Sequence, residues 1–106
     1  MRILFDQGVP VPLRRALVGH EVVTAYERGW STLKNGELLA AAERDGFDLF
    51  ITTDTNLKYQ QTLTDRTLAI LVLGTTSWPR IRKAADTVAA AVAEAKPGRY
   101  AEIRIA

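Results

Sequence analysis

The segment Leu68-Ala69-Ile70-Leu71-Val72-Leu73 is an unbroken apolar run. A helix or strand with one wet face would interrupt such a run with polar residues. It therefore reads as a strand buried on both faces, the central strand of a sheet. A sheet covered on both sides needs helices between its strands, and the rest of the chain supplies them in alternation. Ile3-Leu4-Phe5 reads as a first strand ended by the turn Asp6-Gln7-Gly8. Glu21–Ala25 and Asp48–Thr52 read as the second and third, and Tyr100–Ile105 as an edge strand. Between them, prolines open a short helix at Pro12–Leu17. Asn35 caps a helix over Gly36–Arg44 that Gly46 closes. Leu57–Leu63 is a short helix or turn. The longest helix starts at Trp78-Pro79, runs through the alanine-rich stretch Ala84–Ala95 and stops at Pro97-Gly98. With 106 residues, the size of one domain, the pattern predicts a single α/β domain over 1–106. It has three layers, α/β/α, around a mostly parallel sheet of about five strands.

Composition narrows the chemistry. There is no cysteine, and His20 is the one histidine. Disulfides, thiolate metal sites and multi-histidine zinc sites are excluded. A metal site must use oxygen ligands, which favours Mg²⁺ or Mn²⁺. No segment has membrane-spanning length, and the N-terminal apolar run is too short for a signal peptide. The expected location is the cytoplasm, without a membrane partner. The net charge is only +2, so the placement of cations says more about a nucleic-acid partner than their total does.

In a parallel α/β sheet, sites form beyond the carboxyl ends of the strands. Asp6 lies just past the first strand, Asp54 just past the third, and Glu37 in the first turn of the helix after the second. Acids distant in sequence are thereby expected on one rim. Clustered carboxylates repel one another, and a divalent cation removes that repulsion. Magnesium binds through a few carboxylates plus water and then engages phosphate oxygens. Asn56, two residues past Asp54, is a neutral candidate ligand, and Thr53 offers a hydroxyl. Arg14, Arg15, Lys34, Lys58 and Arg80, near helix starts or in the first helix, are candidates for contacts to an RNA backbone. Tyr59 and Trp78 can stack on bases or pack in the core.

These motifs together resemble the PIN-domain superfamily, and most closely its small bacterial PIN-like members. The shared features are an apolar strand ending in Asp (Ile3-Leu4-Phe5-Asp6), a Glu opening a later helix (Asn35-Gly36-Glu37-Leu38-Leu39) and the turn Thr52-Thr53-Asp54-Thr55-Asn56-Leu57. Tyr59-Gln60-Gln61 and Trp78-Pro79-Arg80 resemble one branch of the group. The resemblance spans essentially the whole chain. It implies a PIN-like domain with metal-dependent ribonuclease activity, Asp6, Glu37 and Asp54 binding Mg²⁺ or Mn²⁺. It also implies that the chain can be the toxin of a toxin–antitoxin pair, restrained by a cognate antitoxin protein. Asn56 stands where typical nuclease members carry a fourth acid, and Gly8 where a polar side chain such as Asn is usual.

Each acid also has a structural role open to it. Asp6 can start a turn through its own backbone. Glu37 suits the positive end of a helix. Asp54 can cap the following helix. The small residues of the last helix suit core packing and would also allow a homodimer through close helix pairing. Two further functions are weighed against the nuclease. One is a degenerate PIN-like module that binds RNA or protein without chemistry. The other is a receiver-type phosphoacceptor, using Asp54 and Thr75 or Thr76. A receiver needs a second acid after the first strand, where Gln7 and Gly8 stand. It also needs a lysine after the fifth, where only Arg104 is near.

Overall fold

Five short apolar segments pair into one sheet in this computed structural model, which describes residues 1–60 and 66–105. The strands are β1 (Arg2–Phe5), β2 (Glu21–Thr24), β3 (Leu49–Thr52), β4 (Ala69–Leu73) and β5 (Tyr100–Ile103). Their order is β2-β1-β3-β4-β5, and every pairing is parallel. The helices are a 3₁₀ helix at Val11–Ala16, then α1 (Asn35–Arg44), α2 (Leu57–Gln60), α3 (Trp78–Lys83) and α4 (Ala85–Ala93).

Alternation along the strands divides the core into two layers. Ile3, Phe5, Leu49, Ile51, Leu71 and Leu73 point to one face, where Leu13 of the 3₁₀ helix, Ile81 of α3 and Val88 and Val92 of α4 cover them. Leu4, Phe50, Ile70 and Val72 point to the other, under Leu38, Leu39 and Ala42 of α1 and Leu57 of α2. Helices thus flank both faces, giving the expected three layers. Burying each large side chain stabilises the fold by roughly 1.5–3 kcal/mol. No helix among the described residues is long and apolar enough to cross a membrane.

Three expectations are corrected, and the short first helix is refined. β4 is fully buried but β3 holds the middle of the sheet, because β3 and β5 flank β4 and satisfy its burial equally well. The first helix is a 3₁₀ helix, held by short-range bonds such as Leu13 N–H to Pro10 O and Leu17 N–H to Arg14 O. The last helix breaks at Ala84 (φ −100°, ψ 13°) into α3 and α4, with Ile81 and Val88 buried on either side of the break. Helix α1 starts at Asn35 with Lys34 as its cap residue, so Asn35 does not cap it. The expected Leu57–Leu63 segment is helical to Gln60; its remainder and the side chain of Tyr59 lie outside the described residues.

Glu43 of α1 fastens the entry to β4. Its carboxylate accepts from Arg66 Nη1 at 2.6 Å, from Thr67 N–H at 2.9 Å and from the Thr67 hydroxyl at 3.2 Å. Partial burial pushes its pKa up, but the bonds from Thr67, Arg66 and Leu68 together outweigh this and hold it below the ordinary value. A group whose folded pKa is depressed stabilises the fold above its ordinary pKa. That stability disappears as pH falls through the folded value. Glu43→Gln is expected to cost about 1–2 kcal/mol at neutral pH and to flatten the acid limb of stability below the ordinary carboxylate range. Urea unfolding at a series of pH values checks this; an unchanged slope would show that Glu43 is not the linked group.

Candidate functional site

The chain leaves β1 toward β2 on one side and later places β3 on the other side of β1. The carboxyl ends of β1 and β3 therefore flank the switch point of the sheet, where a crevice opens in this topology. Asp6 continues the β1–β3 ladder, its N–H donating to Ile51 O at 2.9 Å. Beside it, Thr52 ends β3 with its side chain fully buried. The Thr52 hydroxyl donates to Asp6 Oδ2 at 2.7 Å and accepts from Asp54 N–H at 3.1 Å. One buried oxygen thus couples the two aspartates.

The remaining contacts orient each carboxylate. Asp6 Oδ1 accepts from Gln7 N–H at 2.9 Å. Asp54 Oδ1 accepts from Asn56 N–H at 2.9 Å, closing a local turn. Asn35 Nδ2 donates to Asp54 Oδ2 at 3.0 Å. Asn35 is itself the first residue of α1, and through this bond the first turn of the helix is tied to the same rim. Both aspartates are half-buried.

Glu37 stands in that first turn, but its Oε1 accepts from Lys34 N–H at 3.3 Å, closing on its own helix end. The structure therefore links the Asp6 carboxylate to the Asp54 backbone through Thr52 and turns the Glu37 carboxylate to a capping role. Among the described residues no group of three or more His, Asp or Glu side chains is gathered to hold a metal ion. The polar side chains on this rim are two carboxylates, the Thr52 hydroxyl and the Asn35 amide, all hard oxygen or neutral amide groups. That set fits a magnesium-type ion held by a couple of carboxylates plus water. His20 lies elsewhere, against the N-terminal amine at 3.1 Å.

Sequence reasoning named Thr52 and Gly8 only within motifs and gave neither a role in the site. A polar residue closing an otherwise apolar strand was the available signal for Thr52. Gly8 has no such signal: a Cβ built there would collide with Thr53 Oγ1 and come within 3.8 Å of Thr76 Cγ2. Glycine lets the turn after β1 pass under Thr53, which explains the absence of a larger side chain. Gly8→Ala is expected to cost about 1–3 kcal/mol through overpacking. Thr53→Ala should recover most of that loss, and a double-mutant cycle by denaturant unfolding measures the coupling.

The cations expected to face RNA divide into two groups. Arg14 pairs with Glu27 at 2.7 Å and Lys58 with Glu102 at 3.3 Å. Arg15, Lys34 and Arg80 are exposed and make no ion pair among the described residues. Lys34 and Arg80 stand at the starts of α1 and α3, on the rim that carries the acids. Trp78 is partly buried against the core, so packing accounts for it. No family model, curated protein or solved structure matches this chain significantly.

Proposed function

We propose that the protein is a PIN-like, Mg²⁺- or Mn²⁺-dependent ribonuclease acting at the Asp6–Asp54 rim. The observation that carries this reading is the buried Thr52 hydroxyl, which ties two half-buried aspartates together at the switch point of the sheet. Asp6 and Asp54 would hold the cation, with Asn35, Asn56 and Glu37 on the same rim. When bound, the cation neutralises phosphate charge and acidifies water. Thr52 holds one oxygen of Asp6 and the backbone of Asp54. Gln7, Asn56 and Asn35 restrain the other carboxylate oxygens. Little reorganisation is then left to the moment of reaction. Lys34, Arg80 and Arg15 would contact the phosphate backbone without reading its sequence. The resemblance adds the setting: a toxin restrained by an antitoxin protein.

Titrating Mg²⁺ and Mn²⁺ while following RNA cleavage and thermal unfolding tests this. Cleavage should appear with the metal and vanish with a chelator. At a hundredfold excess over Kd, the melting temperature should rise by roughly 10 °C or more. No cleavage and no stabilisation would leave the binding module, the second reading. One observation favours that reading: the Glu37 carboxylate closes on its own helix and adds no third acid to the pair.

A further inference from the structure

A cavity of about 530 Å³ opens on the β2 side of Asp6, between the turns that follow β1 and β2. Val9, Val11 and Tyr26 give it an apolar lining, and Asp6, Arg14 and Glu27 bring charge to it. Its size is that of a small-ligand site. The described residues expose four large hydrophobic side chains, Met1, Val11, Val18 and Tyr26, and both Val11 (53% exposed) and Tyr26 (78%) belong here. Apolar exposure concentrated beside polar groups marks a binding surface.

The charges decide what kind of group fits. Glu27 and Asp6 are acidic, and Arg14 is already paired with Glu27 at 2.7 Å. The cavity is thus balanced toward negative and disfavours a phosphate. A planar, neutral group with N–H donors suits it, because the carboxylates of Asp6 and Glu27 in the lining are acceptors. Tyr26 supplies a ring face for stacking.

We infer that this cavity receives an unpaired nucleobase of the RNA, next to the phosphodiester held at the Asp6–Asp54 rim. The inference rests on the ribonuclease reading for the origin of the base, but the cavity's chemistry is testable without cleavage. Asp6 forms the wall shared by the cavity and the acid pair, so a seated base sets which phosphodiester lies on the rim. A base held this way requires single-stranded RNA and produces a base preference at the flanking nucleotide.

The test has two arms on the full chain. In the first, adenosine, guanosine, cytidine and uridine are titrated and binding is followed by NMR, for wild type, Tyr26→Ala, Tyr26→Phe and Val11→Ser. Tyr26→Ala should weaken binding roughly tenfold to a hundredfold, as loss of a stacking platform does. Tyr26→Phe should stay close to wild type. In the second, cleavage with Mg²⁺ or Mn²⁺ is compared on single-stranded RNA carrying an intact or an abasic nucleotide beside the cut. Loss of preference in Tyr26→Ala, with the fold intact, supports the base pocket. RNA cleavage that ignores Tyr26, Val11 and abasic substitution overturns the pocket while the nuclease stands. Tyr26-dependent nucleoside binding without any cleavage supports the pocket and removes the nuclease reading. Absence of both nucleoside binding and cleavage overturns both.

Discussion

Asp54→Asn is expected to lower metal-dependent RNA cleavage by a factor on the order of 10³, the usual effect of deleting one preorganised electrostatic group, while the protein stays folded. The substitution keeps an oxygen that can accept from Asn56 N–H, as Asp54 Oδ1 does. It removes the negative charge and sets two amide NH₂ groups against each other at the Asn35 contact, where Asp54 Oδ2 now accepts at 3.0 Å. The stability loss should therefore be modest, about 1 kcal/mol. Stabilisation by Mg²⁺ should vanish together with cleavage. Rates and melting curves, each with and without metal, make the comparison. Wild-type cleavage by the variant would mean that Asp54 is only a turn residue.

The second large effect is on stability. Thr52→Val keeps the shape of a fully buried side chain but removes the oxygen that donates to Asp6 and accepts from Asp54 N–H. One partner of the deleted pair is a carboxylate and the other a half-buried backbone donor, so both are left wanting. A bond to a charged group and an orphaned donor are each costly, and the expected loss is about 3 kcal/mol. For a domain of this size that lowers the melting temperature by on the order of 10–20 °C. Thr52→Ser retains the hydroxyl and should lose about 1 kcal/mol or less for the missing methyl. Equal losses in the two variants would mean that packing, not the bridge, makes position 52 sensitive.

The site shows why rim residues resist reading from sequence. Asp6, Asp54 and Glu37 all make the local bonds that a purely structural role predicts, accepting from Gln7 N–H, Asn56 N–H and Lys34 N–H. Sequence distance cannot distinguish a turn aspartate from one coupled across the sheet. The contact that separates them, through Thr52, spans 46 residues to Asp6. Likewise nothing in the run of alanines marks the break at Ala84, since alanine favours helix at every position.

The apolar runs and their helix-length spacings determined a great deal alone. They dictated the strands, the two-sided burial and the parallel direction, because hydrophobic period and connection length act locally and are written residue by residue. Parallel strands all end on one side, so the placement of Asp6 and Asp54 on one rim followed as well. The order β2-β1-β3-β4-β5 was decided by tertiary structure. Pairing depends on which faces pack together across the whole domain. That order made β1 and β3 neighbours, joined Asp6 to Asp54 through Thr52 and tied Asn35 to Asp54. Each of these is a contact between segments far apart in the chain, and only the packed sheet brings them within hydrogen-bonding distance.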